Sequence, residues 1–155
     1  MGIESHSTSD LFIHHNVIQG ASFYGLRLES KNCMIANNVF NDSRAGIDFD
    51  FCFRNKIYDN KFLNNYEGVY LQDSSFNFFY RNSFIANDIH AYFLNTIFFM
   101  PIYNRWVGNY WDDIGALHVK RIPGNTFIFL GTDSLLINRS NFDWRPAREP
   151  YDIRG

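Results

Sequence analysis

The sequence lacks an excess of charge of either sign, a long apolar run and several well-known catalytic motifs. Fourteen basic residues face sixteen acidic ones, and this formal net charge of −2 excludes a strongly basic nucleic-acid binder. No apolar run approaches the roughly 20 residues that a transmembrane helix needs, and no signal peptide follows Met1. Glycine-rich phosphate loops, nucleophile elbows and zinc-ligand spacings are missing too. The 46% of hydrophobic residues still indicates a globular chain, and 155 residues suffice for one domain.

What the sequence has in excess is asparagine and phenylalanine, and both recur with one period. Asparagine returns every 22 residues, at Asn16, Asn38, Asn60, Asn82 and Asn104. A large apolar residue follows two positions later, at Ile18, Phe40, Phe62, Phe84 and Trp106. A second series is glycine before an apolar–x–apolar triplet, at Gly25, Gly46 and Gly68, and a looser third series is Asn32, Asn55 and Asn77. Such phase-locked columns predict a repeat architecture.

The spacing inside each unit predicts short strands that stack into a parallel β-helix. Apolar residues alternate with period 2, which excludes helical repeats, and turn-forming Asn, Asp, Ser and Gly separate the strands. We therefore expect an all-β solenoid of about five 22-residue rungs over residues 1–113. Columns predicted to point inward are Leu26/Ile47/Val69, Leu28/Phe49/Leu71 and Phe40/Phe62/Phe84. The repeated asparagines are predicted to occupy left-handed bends and to bond to their own copies one rung away. The repeated glycine predicts a positive φ or a close backbone approach.

These columns resemble the right-handed parallel β-helix repeat proteins, in particular their NosD-like branch. The resemblance rests on the units that begin at Asn38, Asn60 and Asn82, and on residues 104–113, which are similar to the end of many such arrays. It implies a right-handed solenoid and an exported or cell-surface protein. The family includes surface proteins, polysaccharide-active enzymes and a copper-site assembly factor, so it implies the fold more sharply than the activity.

The two ends of the solenoid are predicted to differ. Residues 114–155 lose the asparagine register and hold three of the four prolines, and we expect them to form a cap on the last rung. Its aromatic residues are predicted to be buried in the cap, with a sugar-stacking platform as the alternative; they are Trp106, Tyr110, Trp111 and Trp144. No amphipathic segment precedes the first rung, which suggests a fragment of a longer protein or an end-to-end contact with another subunit.

The residues that alternate with the inward set form solvent-facing columns, and these contain the candidate site. One column holds Arg27, Asp48, Tyr70 and Tyr92, and the next holds Glu29 and Asp50. The favoured hypothesis is a non-catalytic module that binds carbohydrate through Arg27, Tyr70 and Tyr92. The alternative is a polysaccharide lyase, hydrolase or epimerase that uses Asp48, Asp50 or Glu29, because glycoside hydrolysis needs a pair of carboxylates. A weaker alternative is a copper-site accessory protein.

Histidine and cysteine are too scattered to predict a metal site or a cofactor. His14 and His15 are adjacent, and neighbouring residues of a strand point to opposite faces, so we expect them not to share a metal ion. Cys33 and Cys52 lie 19 residues apart, which is not a full rung. They are predicted to be buried thiols, with a disulfide left open. Polysaccharide is the predicted partner, and neither nucleic-acid binding nor a membrane span is expected.

Overall fold

The computed structural model describes residues 2–96, 103–130 and 133–155, which contain β-strands and no α-helix. It therefore shows no helix in this part of the chain that could cross a membrane. The strands are β1 (Ile3–Ser9), β2 (Phe12–His14), β3 (Val17–Gln19), β4 (Tyr24–Lys31), β5 (Met34–Ala36), β6 (Val39–Asn41), β7 (Ala45–Asp50), β8 (Lys56–Tyr58), β9 (Lys61–Leu63), β10 (Glu67–Gln72), β11 (Phe78–Tyr80), β12 (Ser83–Ile85), β13 (Ile89–Asn95), β14 (Arg105–Val107), β15 (Tyr110–Trp111), β16 (Lys120–Leu130) and β17 (Asp133–Asp143).

Successive turns of chain stack into a parallel β-solenoid with three strands per turn. Face A consists of β1, β4, β7, β10 and β13; face B of β2, β5, β8, β11 and β14; and face C of β3, β6, β9, β12 and β15. Strands pair in parallel within each face, as in Phe40↔Phe62 and Asp48↔Tyr70. The predicted β-helix is confirmed. The rung count is slightly lower than expected, about four turns, because five strands on a face enclose only four full circuits of chain.

The columns predicted to point inward form the core. Leu26, Leu28, Ile47, Phe49, Val69, Leu71 and the column of phenylalanines are buried. The rings of Phe40 and Phe62 stack with centroids 5.2 Å apart, and those of Phe62 and Phe84 stack at 4.7 Å. Identical apolar side chains one rung apart therefore pack on each other, which explains why the sequence repeats them.

Buried asparagines form hydrogen-bonded ladders beside this core. The backbone N–H and the side-chain amide of Asn38 both donate to Asn60 Oδ1, and Asn60 repeats the arrangement on Asn82. The next step is 27 residues, not 22, because Asn82 donates to Asn109 Oδ1. Bonding of each asparagine to its own copy is confirmed up to this point, and the predicted partner Asn104 is wrong.

The longer last turn shifts the final members of two predicted columns. Asn104 lies above Asn77. The backbone N–H and the side-chain amide of Asn77 both donate to Asn104 Oδ1. Trp106 stacks on Phe79 with centroids 4.0 Å apart, whereas Phe84 stacks on Trp111 at 4.2 Å. The chain between β13 and β14 is longer than the corresponding connections in earlier turns, so a fixed period of 22 fails there.

One further expectation about the bends is corrected. The ladder asparagines are not left-handed; the residues just before them are, including Asn37 (φ 54°) and Asp59 (φ 51°). Asn32 is itself left-handed (φ 56°), and Cys33 takes its expected place by donating its N–H to Asn55 Oδ1. The repeated glycine is the second residue of β4, β7 and β10, and it reflects close approach, one of the two predicted reasons. A Cβ on Gly46 would lie 2.7 Å from the carbonyl oxygen of Gly68 in the next turn.

The C-terminal residues cover the last turn with a hairpin and then run back along face C. β16 pairs in parallel with β13, and β17 pairs antiparallel with β16 and in parallel with β14. The Asn109 side chain and backbone donate to Asp143 Oδ2, so a fully buried carboxylate of β17 ends that ladder. The tail then pairs Ala147 with Tyr110, and Gly155 lies against Val17.

The aromatic residues that we expected to be buried in the cap differ in their exposure to solvent. Trp106 and Trp111 are buried, Tyr110 is half-buried, and Trp144 is 67% exposed, so burial of all four is wrong. Trp144 lies just beyond β17, where the Phe142 ring stacks on it with centroids 5.0 Å apart but leaves most of it exposed. The domain boundary at residue 113 stays a prediction.

Candidate functional site on face A

The predicted site residues of the first column lie side by side on consecutive strands of face A. Arg27 of β4 pairs with Asp48 of β7, which pairs with Tyr70 of β10, which pairs with Tyr92 of β13. All four alternate with buried core residues along their strands, so their side chains lie on the outer surface of the sheet.

Asp48 is the least accessible member of this column. Its side chain is only 7% exposed, and its Oδ2 lies 3.9 Å from Arg27 Nε. Desolvation raises the pKa of Asp48 to about 6, against the opposing effects of the Arg27 charge and a hydrogen bond from Tyr24. The Arg27 guanidinium also lies over the Tyr24 ring, 5.0 Å from its centroid. Asp48 therefore lies beside Arg27 and Tyr24 and is itself shielded from solvent.

The second column brings acidic groups together beside the first. His6 of β1 contacts two carboxylates, with Nε2 3.0 Å from Glu4 Oε1 and Nδ1 3.5 Å from Glu29 Oε2. Desolvation raises the pKa of Asp50, the Arg27 charge lowers it, and Glu29 raises it further. Arg27 Nε and Asp50 Oδ1 are buried and have no hydrogen-bond partner among the described residues. Unmet polar groups of this kind are rare in native proteins and mark candidate sites.

Two tyrosines continue the first column toward the C-terminal hairpin. The rings of Tyr70 and Tyr92 are parallel within 4°, with centroids 6.1 Å apart. The side-chain amide of Asn125 in β16 donates to the Tyr92 hydroxyl at 2.6 Å. Desolvation, reinforced by Glu67 and Asp48, raises the pKa of Tyr70 to about 12, so its hydroxyl stays protonated and able to donate.

Two surface clefts adjoin these columns where β1 and β4 meet. The first has a volume of about 380 Å³ and is lined by Glu4, Phe23, Tyr24 and Arg27 together with Gly2, Ile3 and Ser22. Phe23 is 61% exposed there. The second has a volume of about 420 Å³ and is lined by Ser7, Thr8, Ser9, Glu29, Ser30, Lys31, Phe51 and Phe53. Both combine aromatic rings with hydrogen-bonding groups.

Phe23 and Tyr24 line the first cleft and are candidate site residues that the sequence reasoning missed. They lie just before the repeated Gly25, outside the columns that alternate with the core triplet. A signal was present in the sequence, because two adjacent aromatic residues stand where the next turn has Arg44 and Ala45.

The histidine pair departs from its expected geometry. His15 lies outside β2 and has a left-handed backbone with φ 54°, so the alternation rule for strands does not apply to it. His14 Nδ1 and His15 Nδ1 lie 2.9 Å apart, and both side chains are exposed. The expectation that the two rings point apart is therefore wrong.

A second cluster of possible metal ligands joins His90, Asp112 and Asp113, but its hydrogen bonds oppose metal binding. Asn87 Oδ1 accepts from Asn65, so the Asn87 amide nitrogen faces His90 Nδ1 at 3.3 Å and donates to it. The proton of a neutral His90 consequently resides on Nε2, which lies 2.8 Å from Asp112 Oδ1. The ring nitrogen that faces the carboxylates is thus a donor and not a ligand.

The sequence model of one protein family, described as periplasmic copper-binding protein (NosD), matches residues 1–116. The chain belongs to the NosD family. No curated protein and no solved structure matches it. The family's description is of a periplasmic protein, which agrees with the location outside the cytoplasm that the resemblance implied.

The family's description also implies copper, and among the described residues we find side chains that fit that ion. Both cysteines are buried free thiols, which confirms their predicted burial, and desolvation raises the pKa of Cys52 to about 12. A thiol that stays protonated is a poor ligand. His14 and His15 offer two exposed imidazoles, a ligand type suited to copper, and would hold it.

Proposed function

We propose that this NosD-family chain is a non-catalytic, exported or cell-surface module that binds carbohydrate on face A. The observation that carries the proposal is the first cleft, in which Phe23 and Tyr24 lie beside Arg27 and Glu4. Aromatic rings with one apolar face and nearby polar groups suit a sugar ring, whose C–H face packs on the aromatic surface while its hydroxyls form hydrogen bonds.

The column from Arg27 to Tyr92 extends the binding surface beyond the cleft. Neighbouring parallel strands lie about 4.8 Å apart, so three steps from β4 to β13 span roughly 14 Å. A chain of sugar units laid along the solenoid axis would contact Arg27 first and the hydroxyls of Tyr70 and Tyr92 next. Asn125 holds the Tyr92 hydroxyl in place for this contact.

The charge of face A favours neutral over acidic glycans. Its strands carry two basic side chains that could attract an anion, Arg27 and Lys31. Its carboxylates outnumber them, and they are Glu4, Glu29, Asp48, Asp50 and Glu67. A uronate polymer would meet net repulsion on this surface, whereas a neutral polymer would meet hydrogen-bond acceptors.

The same carboxylates support binding better than hydrolysis. A general acid must reach the glycosidic oxygen, but Asp48, the carboxyl group with a pKa of about 6, is 7% exposed. Its charge is directed at Arg27. We infer that Asp48 positions Arg27 for ligand binding.

Affinity for neutral oligosaccharides, measured by calorimetry against a panel that includes oligogalacturonate, tests the proposal. We expect Phe23→Ala and Arg27→Ala to weaken binding of a neutral ligand. Phe129→Ala is the control, because Phe129 is similarly exposed (64%) but lies on β16, away from the cleft. Equal affinity of the Phe23→Ala and Phe129→Ala variants would contradict the site.

Product analysis separates the enzymatic alternative. The polysaccharide is incubated with the protein, and new reducing ends or unsaturated products are measured. We expect none. Products that disappear in Asp48→Asn or Asp50→Asn would instead establish a polysaccharide-active enzyme on the same face.

A further inference from the structure

We propose that His14 and His15 chelate one divalent transition-metal ion through their two Nδ1 atoms. The site lies at the corner between β2 and β3, on a different part of the solenoid from face A. Metal binding at this site can therefore be tested independently of carbohydrate binding on face A.

The backbone brings the two rings together. The left-handed conformation of His15 (φ 54°) ends β2, and its N–H donates to the carbonyl oxygen of Ala36 in the next turn. The side-chain amide of Asn16 donates to the His14 carbonyl oxygen at 2.9 Å. The Phe12 ring packs against the His14 ring, with centroids 4.3 Å apart. The surroundings thus hold the backbone of both residues and the ring of His14.

The separation of the two nitrogens suits a chelate. Metal–imidazole bonds are about 2.0–2.1 Å long, and two such bonds to atoms 2.9 Å apart enclose an angle of roughly 90°. This is the angle between neighbouring ligands in tetragonal Cu²⁺ and octahedral Ni²⁺ complexes. Because both side chains are exposed, water can fill the remaining coordination positions.

The contact between the rings is a hydrogen bond, so one Nδ1 carries a proton and the other accepts it. A metal ion needs both lone pairs. The proton therefore moves to Nε2 of the same ring, and the neutral pair releases no net proton on binding.

The next turns of the solenoid carry no such pair at this corner. The positions that correspond to His14 and His15 hold Ala36 and Asn37, and Asn37 has the same left-handed φ of 54°. Replacing His14 with alanine and His15 with asparagine therefore copies a pair of residues that this backbone already accommodates.

Calorimetric titration with Cu²⁺ or Ni²⁺, on the full chain without a polyhistidine tag, tests the proposal. We expect one site in the unchanged protein, and a loss of roughly tenfold or more in affinity for both His14→Ala and His15→Asn. His118→Ala is the control, because His118 is exposed in the loop between β15 and β16 and should not change the affinity.

Electron paramagnetic resonance of the Cu²⁺ complex gives a second readout. We expect coupling to two imidazole nitrogens in the unchanged protein and to one in each variant. Unchanged affinity in His14→Ala and His15→Asn would overturn the proposal, as would an equal loss in His118→Ala. Circular dichroism of the two variants establishes that the solenoid is intact.

Discussion

The buried asparagine ladder leads to a prediction about stability. Replacing an asparagine by alanine should lower the free energy of unfolding by an amount that depends on how deeply that asparagine is buried in the ladder. Asn60 is fully buried, and its side-chain amide donates to the carbonyl oxygens of Ile35 (2.8 Å) and Tyr58 (3.0 Å) and to Asn82 Oδ1 (3.1 Å). Its Oδ1 accepts from the backbone and the side chain of Asn38. The Asn60→Ala substitution removes all of these bonds.

The expected magnitude follows from the groups that lose a partner. The Asn38 N–H and the carbonyl oxygens of Ile35 and Tyr58 lose their bonds to the side chain of residue 60 inside the solenoid. A buried polar group left unsatisfied costs about 1–3 kcal/mol. The Tyr58 carbonyl oxygen still accepts from the Asn37 N–H at 3.4 Å, so only the other two groups are counted as unsatisfied. With the lower figure for each of these two, Asn60→Ala should lower the free energy of unfolding by about 2 kcal/mol or more.

Asn16→Ala is the matched control, because Asn16 begins the same ladder. It is only half-buried, and its amide donates to the His14 carbonyl oxygen and to Asn38 Oδ1. Water can replace these bonds, so we expect a loss of about 1 kcal/mol or less. Urea denaturation followed by circular dichroism measures both variants. Equal losses in Asn60→Ala and Asn16→Ala would refute the view that the ladder stabilises the solenoid through buried, unreplaceable hydrogen bonds.

Three other substitutions probe the core, the last turn and the charge of face A. Phe62→Ala removes a fully buried ring stacked on both sides and should cost about 3–5 kcal/mol in the same urea assay; an unchanged midpoint would contradict the stacking. Gly124→Ala should destabilise the protein and shift its melting temperature down, because the added Cβ would lie 2.4 Å from the Phe93 ring; a melting temperature equal to that of the unchanged protein would show that β16 does not seat on β13 as described. Burial raises the pKa of Asp48 from 3.8 to about 6 in the folded protein, so folding favours the protonated carboxyl group. The contribution of Asp48 to the free energy of unfolding is therefore most favourable below pH 3.8 and is lost as the pH rises through 6. Asp48→Asn should therefore gain stability relative to the unchanged protein between pH 4 and pH 7, and a difference independent of pH would argue against the raised pKa.

The repeat could be read from the sequence because each column makes the same contact in every turn. Phe40, Phe62 and Phe84 each stack on the copy one turn away, so the same residue type is favoured at each position. The prediction from the 22-residue period was wrong in the last turn, where the length of the connecting chain, and not the type of side chain, sets the register. Nothing in the residues of the chain before Asn104 indicates that its turn contains 27 residues, so the sequence placed that asparagine above Asn82 when its partner is Asn77.

Part of the candidate site could likewise be predicted from the sequence, and part could not. Strand alternation placed Arg27, Asp48, Tyr70 and Tyr92 in one column, because a parallel register brings equivalent positions together. Whether Arg27, Tyr70 and Tyr92 bind carbohydrate stays a prediction. The cleft beside Arg27 was not predictable, since Phe23 lies in a connection whose path depends on the strands around it.

The sequence by itself determined the solenoid, its inward columns and the order of polar residues along face A, because these depend only on the alternation of side chains and on a constant turn length. The tertiary structure alone decided the contact between His14 and His15, the cleft at Phe23 and the end of the asparagine ladder on Asp143. Each of these depends on a backbone bend or on a segment distant in sequence, and neither follows from a periodic pattern.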